Sequence, residues 1–345
     1  MAVSKLALTE IINRTIERRG ATGIAVVSGA GARAEAVWVP ASALDEPAYL
    51  AYSITKTFTA TLMLQLRDEQ RLTLDDRLAR WFPRIDRSDR ISLGQLLNHS
   101  AGIPDYGWLD SYHDAVRASP SSPWSFERLT AETFEKGLLF DPGSSWAYSN
   151  PGYMLLKRIA EDVTGTPYGA LIGERIARPL GLLRTFVPES VSDLSALAPA
   201  VSPALASDGA IREVRDHYHP GWVSHGVVAS TPSDIARFFD ALFFGGLLSA
   251  QSLHEMTTLV PIGPAAAASA SRWRRPGYGL GIMGDPESSW GRLWGHNGGG
   301  PGYTTSAFHA PDLGGISVCA MCALEGDAIA EQIVFAVLDT LRRAP

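Results

Sequence analysis

An α/β (α+β) fold, built as an antiparallel β-sheet flanked by helices with a large all-helical insertion, is what this sequence predicts. Strand-like runs occur near both ends of the 345-residue chain, and helical periodicity fills the span between them. With 46% of its residues hydrophobic, the chain can bury a large core.

At the N-terminus, Leu6, Leu8, Ile11, Ile12 and Ile16 recur at helical spacing, and Gly20 ends a helix over 6–19. Strand-like runs over 23–28 and 33–39 follow, and Gly29-Ala30-Gly31-Ala32 between them predicts a β-hairpin. From Ser53 the pattern turns helical, with Ile54, Phe58, Leu62 and Leu66 on one stripe, and helical segments continue to about residue 240. Strand signals return over 278–283, 292–294, 303–309 and 315–323, before a closing helix over 327–343. Terminal strands can bury their apolar faces only by pairing with one another, which predicts one sheet made from both ends. The predicted division is a discontinuous α/β domain, residues 1–60 and 270–345, and a mainly helical domain, 61–269, with the cleft between them. The stretch 265–271 reads as a small-residue loop, and no repeat interrupts the pattern.

A net charge of −6 with 19% charged residues offers no basic surface for phosphate backbones, which argues against nucleic acid and for a small-molecule partner. No window approaches the roughly 18 to 20 apolar residues of a membrane-spanning helix. Lys5, Arg14, Glu17, Arg18 and Arg19 break up any signal-like apolar core, so a cytoplasmic location is expected. The two cysteines, Cys319 and Cys322, lie in an apolar strand-like run, where residues three apart face opposite sides; buried packing is expected rather than a redox pair. His217 and His219 have metal-like spacing without a third ligand, and a cleft-rim or surface position is expected.

Lysine occurs only at 5, 56, 136 and 157, and Ser53-Ile54-Thr55-Lys56 is the single S-x-x-K. Chance alone would give about 0.3 such matches, so position has to carry the reading. The serine stands where a helix begins, where peptide dipoles favour an alkoxide and a nearby oxyanion. A lysine three residues on shares its face, and can accept the serine proton only if burial or nearby cations lower its pKa. Tyr148-Ser149-Asn150 forms a Y-x-N, expected by chance about 0.1 times. A tyrosine beside a lysine ammonium can become a phenolate, a second base for Ser53 and a proton donor to a leaving group. Asn150 has the donor and acceptor needed to hold Lys56 and a substrate amide or ester. In His296-Asn297-Gly298-Gly299-Gly300, the absence of Cβ atoms lets a strand edge approach a ligand. The Gly299 N–H can then join that of Ser53 as an oxyanion hole. Tyr106 and Trp222 are candidate lining residues of the substrate channel.

S-x-x-K, Y-x-N and a short H-x-G, in that order, resemble the serine β-lactamase-related family. Its members include class C β-lactamases, low-molecular-weight D-alanyl-D-alanine carboxypeptidases, D-aminopeptidases and carboxylesterases. Leu96-Leu97-Asn98-His99-Ser100-Ala101-Gly102-Ile103-Pro104-Asp105-Tyr106 is similar to that family's L-L-x-H-x-S-G-L-P-D-Y, with Ala101 where serine is usual. Asp141-Pro142-Gly143 ahead of the Y-x-N, and Gly226-Val227-Val228-Ala229-Ser230-Thr231-Pro232-Ser233-Asp234, extend the likeness over about residues 20–340. The resemblance implies a β-lactamase/transpeptidase-like fold without metal or organic cofactor. It implies Ser53 as nucleophile, Lys56 as its proton partner and Tyr148 as general base and acid. Asn150 would be a substrate and lysine ligand, His296 a cleft-lining residue and Gly299 an oxyanion donor.

The family's third motif commonly reads K-T-G or H-T-G, whereas His296 and Asn297 stand here as the candidate substrate-binding residues. A neutral imidazole and an amide make a poor site for a substrate carboxylate. The expected function is therefore a serine hydrolase that forms an acyl-enzyme with an ester, amide or D-peptide. An acyltransferase on the same scaffold and a catalytically silent penicillin-binding module are the alternatives.

Overall fold

A computed structural model describes residues 4–16, 20–29, 31–40, 45–262, 272–326 and 328–343. Helix α1 (Lys5–Ile16) leads into strands β1 (Thr22–Ser28) and β2 (Glu35–Val39), paired antiparallel from Thr22↔Val39 to Val26↔Glu35. Six strands from the C-terminal part join them: β3 (Val260–Pro261), β4 (Gly277–Tyr278), β5 (Met283–Ser288), β6 (Gly291–Gly300), β7 (Tyr303–Ala310) and β8 (Ile316–Cys322). The sheet order is β2-β1-β8-β7-β6-β5-β4-β3. The chain ends meet where β1 pairs with β8, from Thr22↔Cys322 to Ser28↔Ile316, as the need to cover two apolar edges predicts.

Alternation along the strands makes two cores. Ile24 and Val26 of β1 and Val318 and Ala320 of β8 face α1 and α5 (Ile329–Arg343). Ala25, Val27, Cys319 and Met321 face the helical region. Cys319 and Cys322 thus lie on opposite faces as buried free thiols, and burial pushes the Cys322 thiol up to about 12. Helix α4 (Pro232–Phe244), within the stretch expected to be helical domain, packs directly on β1 and β8.

Two strands differ from their expected bounds. The run 278–283 is split, because Gly281 adopts φ 71 and carries the chain past α2 (Thr55–Asp68); a Cβ there would lie 2.4 Å from the Cβ of Ala60. The run 292–294 instead continues through the glycines to Gly300, since pairing with β7 holds them from Gly300↔Tyr303 to Trp294↔His309.

Helix α2 is buried on all sides, not on one stripe, because the sheet, α4 and α3 (Asn150–Thr164) enclose it. Its ring of Phe58 stacks on Phe238 of α4 at 3.8 Å between centroids. Thr59 and Thr61 of α2 donate locally to the carbonyls of Thr55 and Thr57, whereas Thr57 donates across to that of Gly281. At the start of α3 the Ser149 hydroxyl accepts from the Gly152 N–H at 3.2 Å, and Gly165 ends the helix at φ 69. Among the described residues no helix is long and apolar enough to cross a membrane. Residues 17–19, the 265–271 loop, the 269/270 domain boundary and Asp327 lie outside the described residues.

Candidate active site

Ser53 sits in a 3-10 turn, Tyr52–Ile54, that runs straight into α2. Tyr52 before it adopts φ 45, a left-handed conformation that costs a side-chain-bearing residue about 1 to 3 kcal/mol. Surrounding contacts hold it there. The Tyr52 phenol donates to the carbonyl of Pro301 at 2.5 Å, and its ring fills the space a Cβ on Gly300 would need. The Ala51 N–H donates to Val228 at 2.8 Å, and the Ala51 carbonyl accepts from the Thr305 hydroxyl at 3.0 Å. The turn is therefore fixed on both sides while the Ser53 side chain stays half-exposed.

One turn on, Lys56 is fully buried. Its Nζ lies 3.3 Å from Ser53 Oγ, 2.7 Å from Asn150 Oδ1 and 3.1 Å from His225 Nε2. Burial lowers its pKa to about 7, against an opposing pull from the Asp105 carboxylate. Asp105 reaches the lysine through Asn150: its two oxygens accept from Asn150 Nδ2 at 3.2 and 3.0 Å, and one accepts from the Asn150 N–H at 3.0 Å. That contact also settles which amide atom of Asn150 faces the lysine.

The Tyr148 ring lies beside the same amine, with Nζ 4.7 Å from its centroid, and the Ser53 side chain is a polar neighbour of its phenol. Burial raises the phenol pKa well above its ordinary value, outweighing the Ser53 contact, and Asp105 adds to the rise. The expected phenolate is thus disfavoured near neutrality. The phenol keeps its proton there, whereas the Lys56 amine, with a pKa of about 7, is partly neutral.

Strand alternation separates the members of the third motif. His296 is buried between Tyr278, whose hydroxyl lies 2.8 Å from Nε2, and the Asn297 carbonyl, 2.5 Å from Nδ1. Burial, helped by the Lys56 charge, lowers its pKa to about 3, so the imidazole is neutral. Asn297, expected to bind substrate, points to the opposite face, where its Nδ2 donates to Glu331 of α5 at 2.7 Å. Gly298 lies against the Ser53 turn: a Cβ would stand 2.4 Å from Ala51 O and 3.0 Å from Ser53 N. Gly299 opens onto the same cavity as Ser53.

That cavity encloses about 400 Å³ and reaches Ser53, Asn150, Gly299 and His225. Tyr106 and Trp222 line it, together with Tyr112 and Tyr218. Tyr112 links the wall, its ring 4.6 Å from Tyr106 and 5.5 Å from Trp222 between centroids. Tyr52, Asp105 and His225 are site residues that the sequence reading missed. Asp105 was visible only as part of a loop motif, and His225 stands in no pattern of its own. His217 and His219 turn to local backbone, at 2.9 Å from the Glu213 carbonyl and 3.0 Å from the Gly221 N–H. Among the described residues no cluster of three or more His, Cys, Asp or Glu could hold a metal.

The family model described as Beta-lactamase matches residues 10–339. Penicillin-binding protein 4* of Bacillus subtilis (strain 168) is 28% identical over 265 residues, which cover 73% of this chain and 56% of that protein. Lovastatin esterase of Penicillium rubens is 29% identical over 281 residues, 69% of each chain. This chain thus spans little more than half of the first of these relatives. Among solved structures, a D-stereospecific amidohydrolase from Streptomyces sp. is similar at a TM-score of 0.82 and 30% identity, covering 97% of this chain and 98% of that one. D-amino acid amidase from Ochrobactrum anthropi SV3 reaches 0.80 at 23% identity, covering 98% and 97%, a likeness of fold.

Proposed function

The chain belongs to the Beta-lactamase family, and from that premise we propose that it is a serine hydrolase that cleaves amide or ester bonds, D-amino-acid amides foremost, through an acyl-enzyme on Ser53. One observation carries this reading: the Lys56 amine, brought to about 7 by burial, lies 3.3 Å from the Ser53 hydroxyl.

In acylation the neutral Lys56 amine takes the Ser53 proton as Oγ bonds to the substrate carbonyl carbon. The Ser53 and Gly299 N–H groups receive the developing oxyanion. As the carbonyl re-forms, the bond to the leaving nitrogen or oxygen breaks, and that atom takes the Tyr148 proton. The Lys56 ammonium then reprotonates Tyr148. Water adds to the acyl carbonyl and gives up a proton to Lys56, and Ser53 Oγ leaves with that proton, restoring the starting state.

The third motif supports an amide or ester over a β-lactam. His296 is neutral and buried, and Asn297 faces away from the cleft, so neither offers a cation to a substrate carboxylate. The Streptomyces neighbour, similar over nearly the whole chain, is named for D-stereospecific amide hydrolysis.

The test is turnover of D- and L-phenylalanine amide, p-nitrophenyl butyrate and nitrocefin, with intact-mass detection of a fluorophosphonate adduct. The expected result is turnover of the D-amide or the ester, a single adduct on Ser53, and loss of both in Ser53→Ala. Wild-type rates in Ser53→Ala would overturn the assignment.

A further inference from the structure

Among the described residues Lys56 Nζ has three hydrogen-bonding neighbours, and their chemistry is unequal. Asn150 Oδ1, 2.7 Å away, is an acceptor, because the Asn150 amide nitrogen is committed to Asp105. Ser53 Oγ at 3.3 Å can donate or accept. His225 Nε2 at 3.1 Å is the third, on a ring that is 2% exposed and opens onto the substrate cavity. A neutral amine has two N–H bonds and one lone pair, whereas the ammonium has three N–H bonds.

If His225 carried its proton on Nε2, that N–H would point at the ammonium each time Lys56 took a proton. With the proton on Nδ1, the Nε2 lone pair accepts from Lys56 in both of its protonation states. Burial, followed by the charge of Lys56, holds the imidazole well below its usual pKa, so it does not become a competing cation. Asn150 and His225 then engage both N–H bonds of the neutral amine, and Ser53 Oγ is the remaining neighbour for its lone pair.

We propose that His225 is a positioning residue that turns the lone pair of neutral Lys56 toward the Ser53 hydroxyl. The proposal rests on the hydrolase reading above. His225 does not touch the reacting atoms; it restricts how the amine rotates about its last side-chain bond. The titratable groups facing the pair are Asp105, which favours the ammonium, Lys157, whose charge disfavours a cation on His225, and the His99 and His296 imidazoles, both held below their usual pKa by burial. The Tyr148 and Tyr153 rings flank the amine at 4.7 and 5.5 Å.

The test compares wild type with His225→Phe, which keeps a flat ring without an acceptor, and His225→Gln, whose amide oxygen can accept near the Nε2 position. Turnover of the best substrate and the rate of Ser53 phosphonylation by a fluorophosphonate are followed from pH 5 to 10, with melting temperatures as the control for folding. The expected result for His225→Phe is a fall of at least ~10-fold in kcat and in phosphonylation rate, within the range of general-base contributions. KM should change by less than about threefold, and raising the pH should not restore the rate, because lone-pair direction is lost rather than deprotonation. His225→Gln should recover most of the rate. His225→Ala with added imidazole provides a second route to recovery if the Phe variant folds poorly.

Equal rates in wild type and His225→Phe would overturn the inference and leave the hydrolase reading standing. So would a deficit that high pH repairs, or one that neither Gln nor imidazole relieves. A wild type with neither turnover nor Ser53 labelling would overturn the hydrolase reading, and the role of His225 with it.

Discussion

Replacing Gly298 by alanine probes the contact on which the site's geometry depends. The new Cβ would lie 2.4 Å from Ala51 O, 2.5 Å from Thr305 Oγ1 and 3.0 Å from Ser53 N. The Thr305 hydroxyl cannot simply swing away, because it donates to Ala51 O at 3.0 Å. Backbone therefore has to move, and the strand and the Ser53 turn must part by about 0.6 Å to bring the shortest contact to 3.0 Å. Overpacking of this kind costs about 1 to 3 kcal/mol of stability. The same displacement separates the Ser53 and Gly299 N–H groups, and loss of one oxyanion donor costs about 2.7 to 4 kcal/mol of transition-state stabilisation, or 10² to 10³ in kcat. The expected outcome is a fall in kcat of about 100-fold with KM within about threefold, because the donors act mainly on the transition state. Steady-state kinetics on a p-nitrophenyl ester, with thermal melts to confirm folding, measure it. A folded Gly298→Ala variant with kcat within twofold of wild type would refute the oxyanion geometry.

Three further outcomes follow from the site. The buried Lys56 has a native pKa of about 7 against an ordinary 10.5, so between those values the unfolded chain binds a proton that the native chain lacks. The burial cost is then fully present below about pH 7 and disappears as pH rises toward 10.5. Lys56→Met should abolish turnover yet stabilise the fold by on the order of 3 kcal/mol at pH 6, with a smaller gain at pH 10; urea unfolding at both values checks it, and equal gains would contradict it. Asp105 raises the Lys56 pKa and grips Asn150, so Asp105→Asn should move the acid limb of kcat/KM to lower pH while lowering kcat by about tenfold, as a pH–rate profile will show. Trp222 is buried against Tyr112 and Trp124 and donates to Pro120 O at 2.9 Å; Trp222→Ala should cost about 3 to 5 kcal/mol of stability and raise KM, measured by chemical unfolding and steady-state kinetics.

The parts legible in the sequence are those that local geometry dictates. Ser53 and Lys56 share a helix face because three residues nearly complete a turn, whatever packs around them. Alternation along β8 predicted opposite faces for Cys319 and Cys322, and apolar strands at both chain ends predicted the sheet that unites them. The same alternation separates Asn297 from His296, but reading it there required knowing that the glycine run is strand, which pairing with β7 decides.

Tertiary structure alone decided the partners and the charges. His225 and Asp105 reach the lysine from loops distant in sequence and without periodicity, so no spacing rule finds them. Tyr52 takes its unusual backbone angle only because Pro301 and Gly300 receive its side chain. How the Lys56 amine and the Tyr148 phenol hold their protons near neutrality depends on how far each is removed from water, and desolvation is a property of the docked layers, not of the residues themselves.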